Sequence, residues 1–169
     1  AARITGNTLA VKTKNAAVNK VKNFEKYEFH LKENVADGDT MLTIAQDGFG
    51  GRTARLDTDI TLDADKLAAW SEANKSNIFT RVELIKSGVA GALKLSDRDA
   101  YIGAADGLER SVTVDDEATE NGGTVEATSV YLRMNRFKDG RQDYNGAEAP
   151  VMADGESEVY GGVSYHGNK

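Results

Sequence analysis

The sequence has no cysteine, so disulfides, thiolate metal sites and a cysteine nucleophile are excluded together. One proline stands against 17 glycines, and aromatic residues make up only 7%. Those shortages favour many short strands separated by glycine turns over a helical bundle. No run of about 18 apolar residues exists to cross a bilayer as a helix. The opening AARITGNTLAV also lacks the charged and then apolar segments of an export signal, so an exported form would carry its signal outside this sequence. Positive net charge is lacking as well. At −6, the chain offers no global basic surface to nucleic-acid phosphates or to an anionic membrane.

What is present suits one domain, or several turns of an elongated repeat, at 169 residues. The densest stretch runs from Val18 to Ile44. Tyr27, Phe29 and Leu31 alternate with Glu28 and His30, the period of a half-buried strand; Asp37-Gly38-Asp39 then reverses the chain, and Met41, Leu42 and Ile44 resume it. Aromatic mass in place of exposed nucleophiles or ligands marks this stretch as architectural.

Elsewhere, strands are expected over Ile4 to Val11, Ala54 to Leu62, Phe79 to Ile85, Leu93 to Leu95, Ser111 to Val114 and Val125 to Phe137. Lys12 to Asn19 and the acidic Asp115 to Gly123 read as connections, and Lys138 to Asp154 as a surface loop holding Pro150. The period changes once. Asp63 to Lys75 has an N-cap aspartate, good helix formers, and Leu67 and Trp70 three positions apart, so a short helix is expected there, with Trp70 anchoring it on a sheet surface.

Two motifs at the ends carry a resemblance. Val159-Tyr160-Gly161-Gly162-Val163-Ser164 with Gly167-Asn168, and Gly6-Asn7-Thr8-Leu9-Ala10-Val11, resemble the VYGG and GNTL halves of a repeat in passengers of bacterial autotransporters (type V secretion). The block Asn23-Phe24-Glu25-Lys26-Tyr27, Asp37 to Thr43 and Val82-Glu83-Leu84-Ile85 is similar to the segment that succeeds such repeats in those passengers. The resemblance implies a parallel β-helix, a solenoid of stacked short strands, displayed at the bacterial cell surface or secreted after export through an outer-membrane barrel. It divides the chain into residues 1–17 ending one repeat unit, a central β-rich block 18–137 with a helix near 63–75, a loop 138–154, and the start of a further unit at 155–169. The helix and the acidic 115–123 connection depart from a uniform coil and imply a cap or insertion. Periodicity by itself equally allows a sandwich or an irregular β-fold with one helix.

Candidate chemistry is sparse. Asp57, Asp59, Asp63 and Asp65 would converge on a hard cation such as calcium if their side chains met, but also suit a solvated strand face and the first turn of a helix. Asp37 with Asp39, or Asp115-Asp116-Glu117, would serve a glycosidase only at a defined separation with one raised pKa; otherwise they are turn and loop residues. His30 and His166, the only histidines, lack metal-ligand spacing. Ser96 and Ser129 sit in no nucleophile elbow, and GFGGR at residues 48 to 52 lacks the lysine and hydroxyl of a phosphate loop.

Tyr131, Tyr144, Tyr160 and Tyr165 suit a sugar platform or ordinary strand positions. Arg133, Arg136, Lys138 and Arg141 form a local basic cluster in an acidic chain, either contacting an anionic partner or offsetting Asp139 and Asp143. The expectation is therefore an all-β, non-enzymatic passenger fragment without cofactor or metal. Its role would be adhesion to a host or surface glycan or matrix protein, with Tyr131, Arg133, Arg136, Lys138 and Arg141 as contacts. No nucleic acid and no direct membrane insertion are expected, while exposed solenoid ends would allow oligomers. The other two readings are a carbohydrate-active enzyme on a β-helix and a purely structural spacer or folding cap.

Overall fold

A computed structural model describes residues 7–46, 48–77, 79–105 and 108–136, and the backbone of 157–160 and 163–166. Short apolar runs cut by Gly, Asn and Asp produce short strands. In order these are β1 (Thr8–Val11), β2 (Ala16–Val18), β3 (Lys26–Phe29), β4 (Thr40–Ile44), β5 (Thr53–Ala54) and β6 (Ile60–Leu62), then the helix α1 (Ala64–Ala73). β7 (Phe79–Ser87), β8 (Leu93–Leu95), β9 (Asp99–Ala105), β10 (Leu108–Val114), β11 (Thr119–Asn121), β12 (Thr124–Ala127) and β13 (Ser129–Arg136) come next. β14 (Ser157–Tyr160) and β15 (Val163–His166) pair antiparallel with each other.

The chain's described residues are mostly β with one short helix, as its composition predicts. Its first half is parallel. β1, β3 and β6 form the first sheet; β2, β4 and β7 lie side by side in the second, and β5 beside β8 in the third. From β1 to β8 the chain passes through the first, second, first, second, third, first, second and third sheets. Its second half is antiparallel: β13 lies on β7, with β10 and β9 beyond it, while β12 lies on β8, with β11 beyond it.

Several local expectations change in this light. The strands on either side of Asp37-Gly38-Asp39 do not pair with each other, because β3 and β4 belong to different sheets. The turn is a corner. Residues 54–62 are not one strand: Asp59 Oδ2 accepts from the Arg55 amide at 2.9 Å and the Asp59 amide donates to Arg55 O at 2.8 Å, closing a turn between β5 and β6. The connections at 12–19 and 115–123 contain β2 and β11. The surface loop expected at 138–154 lies outside the described residues.

Corners stack like the strands. Asn15, with φ of 63°, donates its amide to Thr40 O at 2.8 Å, at the start of β4, and Gly38 donates its amide to Arg81 O at 2.8 Å in β7. Backbones touch at the opposite corner. A Cβ on Gly50 would lie 2.8 Å from Val21 O, and one on Gly48 or Gly88 would overlap the carbonyl of Ala92 or Ala45. Only glycine permits that approach.

Between the sheets sit Tyr27, Phe29, Met41, Ile44, Leu56, Leu84 and Leu95, all buried. The Tyr27 and Phe49 rings meet at 5.0 Å, tilted by 52°, a favourable aromatic arrangement. α1 begins where its cap predicts: Asp63 accepts from the Lys66 amide at 3.0 Å. Trp70 does more than rest on a surface. It is fully buried, and its Nε1 donates to Val35 O at 2.8 Å.

Candidate functional site: an arginine and aromatic ladder

Strict alternation on β7 and β13 buries Thr80, Val82 and Leu84 on one strand and Val130, Leu132 and Met134 on the other. It turns Phe79, Arg81, Glu83, Tyr131 and Arg133 outward. Antiparallel register then sets Arg133 directly across from Arg81 and Tyr131 across from Glu83. Each guanidinium lies over a ring. Arg81 is 4.2 Å from the centroid of Tyr131, and Arg133 is 5.4 Å from that of Phe79.

Two like charges facing each other across a ladder repel; the aromatic quadrupoles offset part of that cost. Glu83 contributes a carboxylate fixed by two hydroxyls, accepting from Thr40 Oγ1 at 2.5 Å and Ser129 Oγ at 2.6 Å. Rings, guanidiniums and a positioned carboxylate on one sheet face can hold a polar or anionic chain lying across the strands.

Of the predicted contact residues, Tyr131 and Arg133 therefore stand together. Arg136 ends β13, with its Cα in register with Leu108; Lys138 and Arg141 lie outside the described residues. Arg81 and Phe79 were not predicted, although FTRVELI already put them on one face. Nothing local identifies β13 as their neighbour, since β8 to β12 separate it from β7 in sequence.

The acids are occupied individually. Asp57 is ion-paired with Arg55 at 3.3 Å, and that hydrogen bond holds its carboxyl below the usual range. Asp59 and Asp63 accept backbone amides as described, and Asp65 lies in the first turn of α1. No group of three or more metal-capable side chains occurs among the described residues. Asp37 Oδ1 accepts from the Arg81 amide at 2.7 Å. Asp39 Oδ2 accepts from the Ala36 amide at 2.8 Å and from Lys14 Nζ at 3.0 Å, and these two bonds, in that order, lower its pKa. Asp115 Oδ1 takes the amides of Thr128 and Ser129 at 2.8 and 2.9 Å.

His30 Nε2 is 2.7 Å from Glu28 Oε1. The Ser129 hydroxyl donates to Glu83, so neither pattern forms a Ser-His-Asp set. Among the described residues no helix is long and apolar enough to cross a membrane. No family model, curated protein or solved structure matches the chain significantly.

Proposed function

We propose that the chain is a non-enzymatic, surface-displayed segment of an autotransporter-like passenger, and that its main work is to finish a parallel β-helix. The observation that carries this reading is the change of direction at β7 and β8. Up to that point strands stack parallel in rotation; from there β13 and β12 cover the same edges antiparallel. An antiparallel cover ends a stack of parallel coils and satisfies its last backbone groups. Asp37, Asp39 and Asp115, candidates for a β-helix glycosidase, instead accept backbone amides, and Asp39 also Lys14, which favours a structural use.

The test is hydrogen exchange on the whole chain with Leu132→Asp, which disrupts β13 where it covers β7. Amides of β3, β4 and β6 should lose protection together with those of β13. Loss confined to β9, β10 and β13 would sink the capping role. Display is tested separately, by antibody labelling of the chain on intact and permeabilised Gram-negative cells that carry the complete passenger. Labelling only after permeabilisation would refute it.

A second reading, adhesion to a glycan or matrix protein, is favoured by the Arg81, Tyr131, Arg133 and Phe79 ladder. The two are compatible. One face closes the core while the other meets the surroundings.

A further inference from the structure

The antiparallel cover is incomplete. β13 continues the second sheet beyond β7 and β12 continues the third beyond β8, but the first sheet stops at β6. In the parallel pairing with β3, Asp59 O accepts from the Tyr27 amide at 2.7 Å and the Asp63 amide donates to Phe29 O at 2.9 Å. By two-residue alternation the backbone groups of Ile60 and Leu62 point the other way. No other strand among the described residues pairs with that side of β6.

Beside that edge lies a cleft of about 500 Å³, bounded by β6, α1, and the strands β9 and β10. Ile60, Leu62, Leu67, Ala68, Ile102 and Leu108 make its lining largely apolar. A whole further coil cannot enter, because β13 and β12 already cover two of the three sheets. A single strand can. At roughly 3.3 Å per residue, β6 presents about 10 Å of edge.

One cation stands in this cleft. Leu108, Val112 and Val114 are buried on the inward face of β10, and by alternation Arg110 belongs to that face. Its guanidinium reaches Ser71 Oγ at 3.3 Å and Gly103 O at 3.4 Å, both at the long end of hydrogen bonding. No carboxylate among the described residues forms an ion pair with it. The two acids that also line it are engaged elsewhere, Asp57 with Arg55 and Glu72 with Lys75.

We propose that this slot binds an extended segment of another polypeptide, added to β6 as a fourth strand of the first sheet, with an acidic side chain meeting Arg110. Main-chain hydrogen bonds to Ile60 and Leu62 supply the docking mode, the apolar lining selects alternate residues, and Arg110 selects the carboxylate.

The test uses the full chain and fluorescein-labelled, end-capped pentapeptides of the form X-Thr-Glu-Thr-X, with X as Val, Ile, Leu or Phe so that Glu and both X side chains share one face, read by fluorescence anisotropy. At least one should bind saturably, with Kd of about 10–500 μM for so short a strand. Arg110→Gln should weaken it about tenfold, as should Lys in place of the peptide's Glu. Methylating the peptide amides should abolish binding. Ala68→Trp fills the slot from an exposed helical position and should block binding without touching Arg110; near-UV circular dichroism of Trp70 verifies the Arg110→Gln fold.

Absence of binding by all four peptides overturns the proposal, and so does unchanged affinity in Arg110→Gln or for the methylated peptide. Arg110-dependent binding of dodecanoate without peptide binding would assign the slot to a small amphipathic carboxylate instead. Self-association that depends on Arg110, again without peptide binding, would assign it to a second copy. Either result overturns the peptide reading.

Discussion

The indole of Trp70 and the carbonyl of Val35 are joined by a 2.8 Å hydrogen bond across 35 residues of sequence. Both are buried, so the bond ties α1 to the corner that precedes β4. A helix in the connection between β6 and β7 is thereby fixed to the connection between β3 and β4.

Trp70→Phe keeps much of the ring volume but leaves the Val35 carbonyl buried without its donor. A loss of about 2–4 kcal/mol is expected from the unsatisfied carbonyl and the smaller ring. Urea unfolding monitored by far-UV circular dichroism measures it. A change below about 0.5 kcal/mol, the level of an inert surface substitution, would mean that the corner is held by other contacts.

Tyr27 makes the opposite case. Its ring is fully buried, and its hydroxyl has no hydrogen-bond partner, so Tyr27→Phe should be neutral or stabilising by up to about 1 kcal/mol at pH 7. Burial raises the phenol from 10.0 to about 12, with Arg52 opposing and Asp59 adding to the shift. The folded state therefore holds its proton more firmly than the unfolded state. Stability falls as pH climbs from 10.0 towards about 12, and Tyr27→Phe should flatten that part of a stability-versus-pH curve.

At the acid end Asp39 acts with the reverse sign. Its pKa is lowered first by the Ala36 amide and then by Lys14, so its contribution is present above the ordinary carboxylate range and disappears as pH falls through the lowered value. Asp39→Asn should reduce stability at pH 7 and weaken the acid dependence of urea midpoints. An unchanged acid limb would assign the sensitivity to other carboxylates.

Glycine substitutions separate two kinds of corner. An alanine Cβ at Gly88 would overlap the backbone carbonyl of Ala45, whereas at Gly122, with φ of 62°, nothing lies within 4 Å. Gly88→Ala should cost about 2–4 kcal/mol through a forced backbone shift, and Gly122→Ala about 1–2 kcal/mol through φ alone. Equal melting temperatures for the two variants would argue against close stacking at Ala45.

Adhesion through the ladder is checked on a glycan and matrix-protein array at two salt concentrations. Saturable, salt-sensitive binding should be lost in the double variant Arg81→Glu and Arg133→Glu while the melting temperature stays within a few degrees. A hit unaffected by that reversal would place the contact elsewhere.

Near neighbours in sequence decide the features that could be read in advance. Asp63 caps the helix that Leu67 and Trp70 pattern, and β7 and β13 present the faces their alternation dictates. Partner choice was not legible, because Tyr27 and Met41 belong to strands close in sequence yet in different sheets. Nor was Arg110. In LERSVTV it looks like one more polar residue, and only the register on β13 and the helix opposite reveal a charge turned toward the apolar side. Arg133 and Tyr131 were visible as a basic and aromatic pair, but Arg81 and Phe79 joined them through pairing that no local pattern encodes.

The same corner also recurs with three different lengths. Between the first and second sheets the chain takes residues 12–15, then 30–39, then 63–78 with α1 inside the last. Strands cannot accept an extra residue without turning their apolar side chains outward, and the opposite corners are closed by glycines pressed against carbonyls. Variation in length is therefore widest at this corner. Foreign sequence, whether an epitope loop or a small folded module, should be carried with least harm at the exposed residues 32–34, in the middle round of the corner that already accommodates a helix in the next.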